Sequence, residues 1–400
     1  MSPVNPPDAA QPLRILHLVS SQRWTGAAEP AALLAREQLL LGHDVHFACI
    51  GGSSFERKLA ELELPFVPGF FFNRRLNPRE FLADLRRLRR LVDQRAFDIV
   101  HCHLPHDHWL ASFALRAPGS RRDARTAVIR TIHREGKPYR DLAHRWLVGK
   151  GADRVIVVSR SQRRRMEEEV GLPPSRIALV PGAVDLERFH PDVSGHKIRR
   201  IYKIPKDARV AGMVARMRPH RGHHQLIDVV EDVARRVPRA VFTVAGRGEL
   251  KAELIERIRN HDLRTHLRRI GYRKNDLPQM YAAHDVIVLL RPGSDGTCRA
   301  MLEAMACGRP VIGGAVGAIE DTIEPGKTGW LVPPGNRHAL VEALVDALAH
   351  PDKTREMGAA ARRWVEAHAT RRRQAEQTLQ VYREALARRP AASLTRAAAV

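Results

Sequence analysis

Short apolar runs rich in β-branched residues recur along the chain, and most are followed by a stretch whose apolar positions have helical spacing. The first is Arg14-Ile15-Leu16-His17-Leu18-Val19, followed by a glycine-containing loop over 20–26 and a helical pattern over 27–41. Further runs cover 45–50, 98–103, 127–133 and 155–158. Strands of this length separated by helices predict βαβ units and a parallel sheet. Pro181-Gly182 ends the series, and the polar stretch 185–206 reads as a connector. The alternation then restarts, with runs at 210–214, 240–245, 286–290, 310–312 and 330–332 and helical patterns over 228–237, 249–260, 299–306 and 338–349. This predicts a second doubly wound domain and a ligand cleft between the two. The boundaries fall at 1–185, a connector 186–206, a second domain 207–370, and a last helix with a frayed tail over 371–400.

Composition narrows the class. With 44% hydrophobic and 28% charged residues, the chain is globular, neither disordered nor fibrous. No apolar run approaches the roughly 20 residues needed to span a bilayer. The start, MSPVNPPDAAQPL, has neither the basic stretch nor the apolar core of a secretory signal. Four scattered cysteines without CxxC spacing exclude a disulfide scaffold and a cysteine zinc cluster, and they suit a reducing cytosol. A net charge of +23 favours anionic partners. Yet 57 of the 67 basic residues are arginines, the mark of a codon-biased genome as much as of a binding surface. No basic sheet with interleaved aromatics and no helix-turn-helix is visible, so no nucleic-acid partner is expected.

The most informative stretch is RPGSDGTCRAMLEAMACGRPVI, from Arg291 to Ile312. A strand ends at Leu290, a glycine-containing loop follows, and a helix is expected to open near Thr297. The free amides of Gly296, Thr297 and Cys298 would then face an anion such as a diphosphate. Asp295 in the loop and Glu303 in the helix can both face one cleft, which suits sugar hydroxyls better than phosphate. This segment resembles the E-x7-E motif of the retaining GT-B glycosyltransferases of GT4 type (glycosyl transferases group 1). Val180 to Phe189 looks like that family's domain connector, 272–290 like its Gly-Tyr … Tyr-Ala-Ala-x-Asp-Val stretch, and 324–334 like its Gly-x-Thr-Gly-x-Leu-Val-Pro-Pro phrase. One departure is that the first Glu of the motif is Asp295 here.

The resemblance implies an α/β fold of GT-B architecture, with two doubly wound Rossmann-like domains facing across a cleft. It also implies roles. Glu303 would hold the ribose hydroxyls of a sugar nucleotide and Asp295 would touch the donor hexose; a plain helix cap is the alternative for Asp295. Arg216 and Arg221, in VARMRPHRG after a strand, occupy the places of the family's diphosphate-clamping Arg and Lys. Arg221 offers a planar fork where Lys would offer a point charge. Gly246-Arg-Gly248 resembles the Gly-x-Gly loop near the nucleotide base, although a turn needing positive φ explains it equally well. Gly26, in Thr25-Gly26-Ala27-Ala28-Glu29, matches the first glycine of a Gly-Gly-x-Glu loop whose second glycine is Ala27 here.

The run His101-Cys-His-Leu-Pro-His-Asp-His108 invites a metal reading, but acidic partners are missing and no metal is expected. His103 instead matches a family histidine that hydrogen-bonds the donor sugar. His133, ending another strand, is an acceptor-side candidate or a satisfied strand-end residue.

The expectation is a hexosyltransferase taking a nucleotide diphosphate sugar as donor and a glycan or lipid-linked hydroxyl as acceptor, in cell-surface glycan or glycolipid synthesis. No acidic residue of the first domain is placed as an inverting base, and the resemblance implies retention by front-side attack without metal or other cofactor. Two alternatives stay open, a GT-B nucleotide-sugar epimerase and a weakly active sugar-nucleotide-binding protein. Residues 69–76, aromatic with paired arginines, and 81–92, leucines against arginines, would suit docking on anionic lipid; a helix with one buried stripe accounts for the latter equally well. The expected location is the cytoplasm, with peripheral contact at the inner face of the membrane.

Overall fold

Five of the six residues of Arg14–Val19 are buried, and Ala240–Ala245 is buried throughout. Runs apolar on both faces belong in parallel sheets covered by helices on each side. A computed structural model shows that arrangement and describes residues 11–24, 26–72, 77–116, 126–134, 142–260, 263–273, 275–293 and 296–388. The first sheet contains β1 (Arg14–Val19), β2 (Asp44–Ile50), β3 (Phe66–Phe70), β4 (Ile99–Cys102), β5 (Ala127–Ile132), β6 (Arg154–Val157) and β7 (Ile177–Leu179). The second contains β8 (Arg209–Val214), β9 (Ala240–Ala245), β10 (Leu267–Ile270), β11 (Val286–Leu289), β12 (Val311–Gly314) and β13 (Gly329–Val332). Their orders are β3-β2-β1-β4-β5-β6-β7 and β10-β9-β8-β11-β12-β13, parallel throughout. The fold is two Rossmann-like units, as the alternation predicts.

Each unit carries its own core. Leu16, Leu18, Val100, Val128 and Val155 line one face of the first sheet, and Ile15, Phe47, Ile99 and Ile129 line the other. Burying side chains of this size contributes about 1.5–3 kcal/mol each. The second core joins Val244, Val286 and Val288 to Leu340 and Leu344 of the helix Arg337–Ala349.

Three strands escape the pattern analysis for physical reasons. β3 contains Pro68 and Gly69, which read as turn residues; β7 is three residues long; β10 carries two arginines in four positions. The helix Pro78–Arg95 buries Leu85, Leu88 and Leu91, leaves Leu82 exposed, and sends Asp84 to accept the Phe71 and Phe72 amides at 3.0 and 2.8 Å.

The last helix, Arg371–Ala387, does not stay with the second unit. It packs on the helix Ala28–Leu40 and places Leu379, Val381, Tyr382 and Ala385 in the core of the first. The two crossings between units run side by side, with Val184 bridged to Thr370. The tail beyond Arg388 lies outside the described residues.

Candidate active site

Each sheet reverses its strand order once, between β1 and β4 and between β8 and β11. In such sheets ligands sit outside the carboxyl ends of the strands flanking the reversal. The loops leaving those four strands carry Gly26, His103, Arg216 with Arg221, and the turn before Glu303. Asp295 itself lies outside the described residues.

In the second unit, the helix after β11 covers Arg299–Ala306, as the helical pattern has it and two residues past the opening expected near Thr297, with Cys298 as its N-cap in the left-handed region (φ 53°). A non-glycine residue held there stores strain of about 1–3 kcal/mol, an expense typical of functional turns. Thr297 and Cys298 are buried in this turn. The Gly296 amide is not available to a diphosphate, because it donates to the His133 carbonyl of the first unit at 2.6 Å.

Glu303 is only 9% exposed, so it is not a solvated residue on the helix surface. The Tyr281 hydroxyl donates to its Oε2 at 2.7 Å, and Arg299 Nε stands 3.7 Å from Oε1. Burial pushes the Glu303 carboxyl upward, while Arg299 and the Tyr281 bond pull it back.

Arg221 lies against the same turn, since a side chain on Gly293 would overlap its guanidinium. Its Nε is buried without a partner, and burial lowers its pKa from the ordinary arginine value. Arg216, exposed at the mouth of β8, has no ion-pair partner among the described residues either. Two cations without carboxylate partners in one loop, one of them against a strained turn, can seat a polyanion. His223, buried behind Arg221, is held at about 4 by burial and by that guanidinium. Sequence reading passes over it, although it directly follows the basic phrase.

The Gly-x-Gly loop has a definite mechanical role. Gly246 has φ 149°, and a Cβ on Gly246 or Gly248 would overlap the carbonyls of Ala215 or Met217. The Arg216 loop is zipped onto it by Ala215 N–H to Ala245 O and Met217 N–H to Arg247 O, both at 3.1 Å. The positive-φ reading of Gly246 therefore holds, and close backbone approach adds a second reason for glycine there.

In the first unit, four histidines gather at the carboxyl ends of β1, β4 and β5. His17 Nδ1 meets His103 Nε2 at 2.8 Å, and His103 Nδ1 meets His133 Nε2 at 3.0 Å. His17 Nε2 meets Gln38 Oε1 at 2.8 Å. His101, its ring centroid 4.1 Å from that of His103, bonds Tyr382 through Nδ1 and Thr131 through Nε2 at 2.6 and 2.7 Å. Burial is the main cause that holds His17 at about 4, His133 at about 3, and His101 and His103 well below the ordinary range, so all four are neutral. His17, His101 and His103 are close enough to share a cation, but every one of their ring nitrogens is already hydrogen-bonded. His103, the residue the sequence reading puts on the donor sugar, is buried with both ring nitrogens bonded to neighbouring imidazoles, one of them His133. Among the described residues only His133 Nδ1 in this group lacks a hydrogen-bond partner, and it is buried. Sequence reading also missed His17, Gln38 and Tyr382, although a histidine inside the apolar β1 run is a visible signal.

The two units touch across the cleft. Besides Gly296 with His133, Glu29 Oε2 pairs with Arg299 Nη1 at 2.8 Å, and Arg160 N–H donates to Asp321 Oδ2 at 2.6 Å. Gly26 opens the turn into the helix that carries Glu29.

Two family models match, Glycosyltransferase Family 4 over residues 24–188 and Glycosyl transferases group 1 over residues 195–364. The GDP-mannose-dependent alpha-(1-6)-phosphatidylinositol monomannoside mannosyltransferase of Mycolicibacterium smegmatis is 30% identical over 298 residues, 70% of this chain and 74% of that one. This chain belongs to the GT4-type GT-B glycosyltransferases. A more distant member, the UDP-Gal:alpha-D-GlcNAc-diphosphoundecaprenol alpha-1,3-galactosyltransferase of Escherichia coli, is 26% identical over 279 residues, 66% of this chain and 70% of that one. The GT-B fold is shared with a glycosyltransferase of Rickettsia africae (TM-score 0.80, 19% identity, 94% of this chain and 99% of that one). It is shared also with Anabaena HepE, crystallised with UDP (TM-score 0.78, 19% identity, 92% and 99%).

Proposed function

We propose that this glycosyltransferase moves a hexose from a nucleoside diphosphate sugar to a hydroxyl of a glycan or lipid-linked acceptor, with retention of configuration and without a metal. The observation that carries the reading is the pair Arg216 and Arg221 in the loop leaving β8, cations without carboxylate partners among the described residues, with Arg221 lying against Gly293 ahead of the Cys298 turn. In the reaction the anomeric C–O bond to the diphosphate breaks and the acceptor oxygen bonds the same carbon. The acceptor proton passes to the departing phosphate oxygen. The two guanidiniums stabilise the charge that develops on the diphosphate, the work a divalent cation performs elsewhere. By the family resemblance, Glu303 would hold the ribose and Asp295 would act on the hexose.

The named relatives use GDP-mannose and UDP-galactose and act on lipid-linked acceptors, which makes those two donors the first to test. They are transferases, and this favours transfer over the epimerase reading. No helix among the described residues is long and apolar enough to cross a membrane. An aromatic patch offers peripheral contact instead: Trp109 stacks on Phe113 and Trp146 at 5.6 and 6.1 Å, and Phe113 and Trp146 are 38% and 41% exposed. Arg86, Arg90 and Arg145 are exposed on the same helices and their neighbour, a combination suited to the anionic cytoplasmic leaflet.

The test is incubation with a panel of nucleotide sugars and a lipid-extract acceptor, with product anomers assigned by proton NMR. Turnover should persist in EDTA and give the donor's anomer. Loss of turnover on chelation, restored by Mn²⁺, or an inverted product would overturn the mechanism.

A further inference from the structure

The buried histidines form a directed string, and its direction has a chemical consequence. A neutral imidazole carries one N–H, so in a row of them each ring must donate through one nitrogen and accept through the other. The end of the row fixes every member.

That end is Gln38. Its Oε1 faces His17 Nε2 at 2.8 Å and its Nε2 faces the Tyr382 hydroxyl oxygen at 3.3 Å. An amide oxygen only accepts, so His17 carries its proton on Nε2 and accepts through Nδ1. His103 then donates through Nε2 and accepts through Nδ1, and His133 donates through Nε2. The side branch agrees: Tyr382 donates to His101 Nδ1, and His101 Nε2–H donates to Thr131 Oγ1. Turning the amide round would reverse the whole row and leave an N–H on His133 Nδ1, buried and without an acceptor. Orphaned buried donors are the rarer defect, so the amide orientation seen here is the stable one.

We propose that Gln38, His17 and His103 are positioning residues that lock His133 as the Nε2–H tautomer, so that its Nδ1 lone pair is presented to a hydroxyl of the bound sugar. The sugar is the one assigned above, and the proposal rests on that reading of the cleft; the tautomer itself is a property of the free protein. The string is not a proton wire. Gln38 cannot take up a proton, so a proton arriving at His133 has no exit at the far end. Its action is to fix which nitrogen accepts. The His133 carbonyl bonded to Gly296 holds the same residue at the seam from its backbone side.

The experiment is ¹⁵N-histidine labelling of the full chain and two-bond proton–nitrogen correlation at neutral pH without substrate. His17, His103 and His133 should each appear neutral with the proton on Nε2. A proton on Nδ1 of His133, or an exchanging mixture there, overturns the proposal on the unmodified protein. Gln38→Met keeps the length of the side chain but removes its acceptor. It should give mixed tautomers at His133 and lower kcat by about tenfold or more, since a histidine in the wrong tautomer is a poor catalyst even in intact geometry. Nucleotide affinity should stay within about twofold, because the diphosphate seat lies in the other unit. Gln38→Glu restores an acceptor and should restore both the tautomer and turnover. Equal loss of turnover in both variants with wild-type tautomers would show that Gln38 is only a packing residue. Should no donor in the panel turn over, the function reading fails while the spectra still decide the string.

Discussion

Replacing Arg221 by methionine should move stability and catalysis in opposite directions. The guanidinium lies along Gly293 with its Nε buried and without a partner. Burial lowers its pKa, which is the same as saying that the charged form is less well accommodated in the folded protein than in water. An orphaned buried polar group costs about 1–3 kcal/mol. Methionine keeps the length and the packing and removes that cost. For a domain of this size each kcal/mol is worth roughly 2–4 °C, so the free protein should melt a few degrees higher. Catalysis should suffer, because a preorganised donor aimed at developing charge is worth about 10²–10³ in kcat. Arg221→Lys keeps the charge without the fork and should fall between the two. Scanning calorimetry and steady-state nucleotide release measure the pair of effects. A lower melting temperature with unchanged kcat would refute the reasoning and make Arg221 a structural residue.

Glu303→Gln should weaken binding of the free nucleotide by about tenfold, the loss of one charge-assisted bond, as read by titration calorimetry; unchanged affinity would separate Glu303 from the nucleotide. Asp295→Asn should lower kcat at least tenfold, about 1.4 kcal/mol, with nucleotide affinity retained, because a carboxylate near the hexose acts chiefly on its transition state. Acid should destabilise the fold. His17 at about 4 and His133 at about 3 lie below the unfolded value of 6.5, as do His101 and His103, so the unfolded chain binds more protons and stability drains as pH falls from 6.5 towards 4. Asp107, raised to about 6 by burial, opposes this with a single proton, and Arg130 adds to the depression of His133; urea midpoints that stay flat over this window would contradict the assignment. Vesicles containing anionic lipid should co-sediment the protein in a salt-sensitive way, and Phe113→Ala with Trp146→Ala should abolish it; equal binding to neutral vesicles would argue against the patch.

Much of this was legible in the order of apolar runs, because a parallel strand buried on both faces has nothing to show but β-branched and aliphatic residues. Val45 to Ile50 and Ala240 to Ala245 are found that way. The cleft side of the second unit was legible too, since Arg221, Glu303 and the glycines lie within short contiguous phrases. The first unit's site was not. His17, Gln38, His103, His133 and Tyr382 come from five separate segments, and their contacts depend on strand neighbours and on a helix 281 residues away from His101. His103 read as a contact residue because it matches a family histidine, whereas in space its ring nitrogens meet other imidazoles. No local spacing encodes that.

The return of the helix Arg371–Ala387 to the first unit dictates an order of events during synthesis. β7 ends at Leu179, so the first sheet emerges from the ribosome about 190 residues before the helix that seals one of its faces. At roughly 5–20 residues per second the gap is about 10–40 s, during which Phe47 and Ala35 lack their cover from Leu379 and Tyr382. Meanwhile the second unit, whose chain is contiguous, can finish first. A fragment ending before Arg371 therefore contains every strand of the first sheet and still lacks part of its core, and Gln38 in it has no Tyr382 to hold its amide.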